Sequence, residues 1–128
     1  MKAERYEEVR IWQSARVQAG QLDRAFGVGT PAAKDFGFRD QIQRCGISVM
    51  NNIAEGFERQ SDPDFARFLN IAKGSNGEVR SMLFLAEDLF YLDAPTAAEM
   101  RHLSEDLSRG IQTLSSYLRH SPLPTFRP

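Results

Sequence analysis

Apolar residues recur every three or four positions along almost the whole chain, and that rhythm is broken at only three places. Spacing of this kind gives one apolar face per helix and leaves no room for strands, whose side chains alternate with period two. In the first segment Trp12, Ala15, Ala19, Leu22 and Phe26 share a face, predicting a helix over residues 7–26, with Trp12 and Phe26 in its core. Gly27, Gly29 and Pro31 then mark a loop over 27–34. A second helix starts at Asp35 or Phe38, with Asp35 as its N-cap, and runs to Arg59. Ser61, Asp62, Pro63 and Asp64 combine a capping hydroxyl, a first-turn proline and first-turn acids, so the third helix begins directly after Gln60. A link this tight makes the second and third helices antiparallel neighbours.

Gly74-Ser75-Asn76-Gly77 would be a turn if read alone. Phase argues otherwise. The face set by Phe65, Phe68, Leu69 and Ala72 continues, at about 100° per residue, into Val79, Met82, Leu83, Ala86 and Phe90. A loop would reset that phase, so the third helix is one element extending to Leu92. Gly74 falls opposite the stripe; Ser75 and Asn76 fall on it. After a turn over 93–95, Thr96 and Glu99 form a capping box. Met100, Leu103, Leu107, Ile111, Leu114 and Leu118 carry the fourth helix. The tail over 121–128, with Pro122, Pro124 and Pro128, cannot continue it. The expectation is an all-α, up-down-up-down antiparallel four-helix bundle over residues 1–120, followed by a proline-rich tail.

Composition narrows the function classes. The chain has 128 residues, 41% hydrophobic and 26% charged, which are the values of a folded domain. A net charge of -1 does not demand a nucleic-acid partner. Only Lys2, Lys34 and Lys73 are lysines; the other cations are arginines, which suit bidentate contacts. A single cysteine, Cys45, excludes a disulfide framework within the chain, and its place beside the apolar face makes it a buried structural thiol. The polar start is not a signal peptide, and no apolar run approaches membrane-spanning length, so a cytoplasmic, microbial protein is expected. A di-metal carboxylate site needs two inward Glu-x-x-His pairs. Glu99 and His102 supply one, but His102 points away from the stripe, and His120 lies beyond it. No catalytic residue, metal, cofactor or small-molecule substrate is expected.

The second helix is the informative one. Gln41, Arg44, Ser48, Asn52, Glu55 and Arg59 fall within an arc of about 80°, while Ile42, Cys45, Ile47, Val49, Met50, Ile53, Ala54 and Phe57 fill about 200°. An edge helix needs an apolar stripe of only about 100°. The second helix is therefore either central in its own bundle or buried against another subunit, the latter being favoured. The polar strip reads either as a partner-facing surface or as an interhelical hydrogen-bonded network.

Three stretches make the chain recognisable: IWQSA from Ile11, RDQIQRCGISVMNNIAEGFER from Arg39, and DFARFLNIAKGSNGEVRSML from Asp64. Together they resemble the 23S rRNA intervening-sequence proteins, encoded within bacterial large ribosomal RNA genes or as free genes. Cys45 and Gly46 stand where that family more often has small residues such as alanine. The resemblance implies an antiparallel four-helix bundle, a ring-like homo-oligomer (a pentamer) and no enzymatic activity. A related branch serves diversity-generating retroelements by binding nucleic acid and a reverse transcriptase. The partners implied are therefore further copies of the chain and RNA or a nucleic-acid-processing protein. Arg44, Arg59, Arg67 and Arg80 are the candidate phosphate contacts, although surface ion pairs are the plainer reading of Arg67 and Arg80. The alternative is a purely structural assembly protein acting through protein contacts.

Overall fold

The computed structural model describes residues 5–6 and 9–120. Four helices, α1 (Arg10–Phe26), α2 (Phe36–Phe57), α3 (Asp62–Asp88) and α4 (Ala94–His120), pack as a bundle with no strand among the described residues. The expected first turn at Glu7 and the tail over 121–128 lie outside the described residues.

Local chemistry sets most boundaries. The Asp35 carboxylate accepts from the Phe38 amide at 3.2 Å, and the Ser61 hydroxyl accepts from the Asp64 amide at 3.3 Å, capping α2 and α3 as expected. Two boundaries differ. The fourth helix is capped by Asp93, which accepts from the Thr96 amide at 2.8 Å, so Thr96 lies inside the helix and the Thr96–Glu99 box does not start it. Asp93 is the better-placed acceptor, because Pro95 is tolerated in a first turn. The third helix does run unbroken through Gly74–Gly77, but it stops at Asp88 rather than at Leu92. Phe90 adopts φ 61°, the Tyr91 amide reaches Ala86 O at 2.9 Å, and the Phe90 amide reaches Glu87 O at 3.1 Å. This is a Schellman turn with phenylalanine where glycine is usual. Phe90 is consequently 87% exposed and does not join the apolar stripe.

Contacts are extensive between α2 and α3 and between α3 and α4, fewer between α1 and α2, and fewest between α1 and α4. Pairings across α2 and α3 join Gln41 to Glu78, Ser48 to Ser75 and Gly56 to Phe65. Two buried clusters result. One takes Ile11, Ile53, Phe65, Leu69, Leu107, Ile111 and their neighbours from all four helices. The other is built from Leu22, Phe26, Phe38, Ile42, Val79 and Leu83, with only the partly buried Met100 from α4. A polar layer of Gln18, Asn76 and Ser104, all buried, completes the interior. Gln18 Nε2 donates to Asn76 Oδ1 at 3.0 Å, Ser104 Oγ donates to the same oxygen at 2.9 Å, and Asn76 Nδ2 donates to Ser104 O at 2.7 Å. The buried Gln18 Oε1 has no partner. No helix among the described residues is long and apolar enough to cross a membrane.

Candidate functional site

The two-sided character of α2 has a structural cause within the chain. A Cβ on Gly46 would sit 2.6 Å from Leu22 Cδ1 of α1, and one on Gly56 would sit 2.8 Å from Phe68 Cβ of α3. Glycine at these two positions lets both neighbours press against α2. Ile42, Cys45, Val49, Ile53 and Phe57 are buried, and Met50 and Ala54 partly so. Packing inside the bundle thus accounts for most of the wide apolar arc. Ile47 is left 48% exposed on the outer face.

The polar strip divides lengthwise. Its inner edge is spent on α3. Ser48 Oγ and Ser75 Oγ are 2.9 Å apart, and Asn52 Nδ2 donates to Ser48 O at 2.9 Å and to Ser48 Oγ at 3.0 Å. Gln41 Nε2 reaches Glu78 Oε2 at 3.5 Å, and the Cys45 thiol donates to the same oxygen at 3.2 Å. Burial, then the Glu78 carboxylate, push the Cys45 thiol up to about 11, so it is neither a nucleophile nor a ready metal ligand near neutrality. The outer edge holds Arg44 paired with Asp40 at 3.4 Å and Arg59 paired with Glu55 at 2.9 Å. Such exposed i,i+4 pairs contribute roughly 0.3–0.5 kcal/mol each.

The other basic candidates sit elsewhere. Arg67 pairs with Asp64 at 3.1 Å. Its guanidinium carbon lies 4.5 Å from the Phe68 ring centre, and that of Arg59 lies 4.6 Å from the same centre. Arg80 belongs to a different surface, a groove of about 310 Å³ between α3 and α4 where Lys73 Nζ donates to Gln112 Oε1 at 2.6 Å. Its buried Nη1 has no partner. The structure therefore brings Gln41, Ser48 and Asn52 together along the α2–α3 seam and Arg59 beside Arg67 at its end, while Arg44 and Arg80 stand apart from both. His102 and Glu99 are exposed, and no cluster of three or more His, Cys, Asp or Glu residues suited to a metal occurs among the described residues.

Two features escaped the sequence reading. The Gln18–Asn76–Ser104 layer has a signal in the sequence, three polar residues at stripe positions, but only Asn76 stands out by spacing. The second is an open seam between α1 and α4, a groove of about 730 Å³. No residue pattern within one helix reports how far apart two helices stand.

No curated protein matches the chain. Its fold is similar to a crystal structure of a protein with unknown function, from the S23 ribosomal protein family, of Bacteroides thetaiotaomicron VPI-5482. The TM-score is 0.77 at 23% identity, covering 83% of this chain and 95% of that one. The family model for the 23S rRNA-intervening sequence protein matches residues 7–113. Four packed helices, a matching fold and a family match over most of its length establish that this chain belongs to the 23S rRNA-intervening sequence protein family.

Proposed function

We propose that this chain is a non-enzymatic subunit of a ring-like homo-oligomer, a pentamer, in which antiparallel four-helix bundles join through protein contacts. The antiparallel course is supported by the α2–α3 pairings, in which residue numbers fall on α3 as they rise on α2. The observation that carries the assembly reading is Ile47, a large β-branched side chain left 48% exposed after α2 has packed on both neighbours. Light scattering tests it: the wild type runs as an oligomer at micromolar concentration, and Ile47→Glu shifts it toward monomer. A wild type that is strictly monomeric under those conditions refutes the reading.

A second reading, binding of structured RNA, is supported by one local arrangement. Arg59 and Arg67 both lie over Phe68, a flat cationic surface of the kind on which bases stack. Against its weight, Arg44, Arg59 and Arg67 each already face a carboxylate three or four residues before them. A mobility-shift titration against structured RNA at several salt concentrations separates the two readings. RNA binding requires salt-sensitive affinity that falls when Arg59 and Arg67 are both changed to Gln.

A further inference from the structure

Phe90 is the only non-glycine residue with positive φ among the described residues. A bulky side chain in the left-handed region is strained, and a glycine there would complete the same Schellman turn without that strain. Phe90 recovers nothing by burial, being 87% exposed. The turn that carries it is nonetheless held firmly. Tyr91 next to it donates to Asp35 Oδ2 at 2.6 Å and sets its ring 5.3 Å from Phe38, edge to face. Together these make Phe90 an aromatic knob on a rigid mount, which is the character of an interface anchor rather than of a folding residue.

The same chain carries a recess that suits such a knob. The α1–α4 groove has an apolar floor of Val17, Ala25, Met100 and Leu103, and Val17 is 52% exposed in it. Arg24 stands on its rim with no carboxylate at ion-pair distance among the described residues. The carboxylate of Asp106, also on the rim, is already taken by Arg109. On the knob side, exposed Asp88 and Asp93 flank Phe90 within three residues. Aromatic ring and apolar floor match in character; Arg24 is opposite in sign to Asp88 and Asp93, while the exposed Glu99 farther along the lining shares their sign.

We infer that Phe90 of one copy inserts into the α1–α4 groove of a second copy, with Asp88 or Asp93 of the first meeting Arg24 of the second. The inference rests on the self-assembly proposed above and assigns it a pair of unlike surfaces. Contacts of that heterologous kind close into rings when the rotation between subunits allows.

The test is sedimentation velocity on the full chain, comparing wild type with Phe90→Gly, Val17→Glu and Ile47→Glu, alongside urea unfolding of each. Phe90→Gly should leave the unfolding midpoint unchanged or higher while weakening self-association at least about thirtyfold, the effect of losing an anchor residue. Val17→Glu, at an exposed position, should do the same from the groove side. Each of these variants keeps the half that the other lacks, so mixing them should restore a 1:1 pair. Phe90→Gly that assembles like the wild type overturns the knob, and if Ile47→Glu then dissociates, the assembly reading survives without it. A mixture of Phe90→Gly and Val17→Glu that stays monomeric also overturns it. A monomeric wild type removes both.

Discussion

The two buried clusters are built from similar residues yet differ in how completely the bundle encloses them. Around Ile53 and Phe65 every helix contributes fully buried or nearly buried side chains, with Leu107, Ile111, Leu114 and Leu118 forming the α4 wall. Around Phe26 and Phe38 that wall is missing: α4 supplies only Met100, partly buried, and the space it leaves is part of the α1–α4 groove. A bundle can therefore be closed by four helices over one stretch and by three over another. The incompletely walled region also carries the strained turn and, among the described residues, the two most exposed aromatic side chains, Phe36 and Phe90.

Truncations along α4 test that contrast most directly. Leu107→Ala should cost about 3 kcal/mol, because its neighbours cannot collapse into the cavity. Met100→Ala, at the open wall, should cost only about 1 kcal/mol. Urea unfolding measures both, and equal losses would break the comparison.

A smaller effect is expected at the polar layer that the two clusters share. Asn76→Ala strands Gln18 Nε2 in a buried setting and leaves the Ser104 hydroxyl only the longer bond to Asn76 O at 3.4 Å, which should cost about 2 kcal/mol. The exposed Asn70→Ala on the same helix should stay within about 0.5 kcal/mol of wild type. Replacing Gln18, Asn76 and Ser104 together by Leu, Leu and Ala should recover much of the loss, as fully apolar substitutes for buried polar groups often do. If the single change is as mild as the Asn70 control, the layer is not a structural element.

The smallest effect is a pH dependence confined to the less enclosed region. The folded Cys45 thiol titrates at about 11, above the value near 8.5 of an unfolded thiol. Its contribution is fully present below pH 8.5 or so and is lost as pH rises toward 11, where the unfolded chain gains by ionising first. Cys45→Ala should flatten stability between about pH 9 and 11, and a thiol reagent at pH 8 should label the native protein far more slowly than the urea-unfolded one. Asp35 works at the other end of the scale. Hydrogen bonds from Tyr91 and the Phe38 amide lower its pKa, so its contribution holds above the ordinary carboxylate range and fades as pH drops below it.

Much of this architecture was legible in residue spacing. The unbroken phase from Phe65 to Ala86 correctly overrode the turn-like Gly74–Gly77, because periodicity integrates over many residues whereas turn signals are local. The same reasoning failed at Phe90. Phase alone continued the helix past Asp88, while the Schellman bonds from Tyr91 and Phe90 ended it. Beside those bonds the Tyr91 hydroxyl is held by Asp35, a residue far away in sequence. The candidate strip was legible as a helix face but not as a site. Its inner half proved to be α3 packing, a tertiary fact that a wheel drawn for α2 cannot contain. The α1–α4 groove was illegible for the same reason.

The order of contacts has a consequence for how the chain is made. Most contact is between helices adjacent in sequence, α1 with α2, α2 with α3 and α3 with α4. Loops closed by such pairings are short, so little chain entropy is lost before contacts form, and folding should belong to the fast, local-contact class. During synthesis every new helix would find a packing partner already made. Only the meeting of α1 with α4 has to wait for nearly the full length, and it is the slightest contact of all.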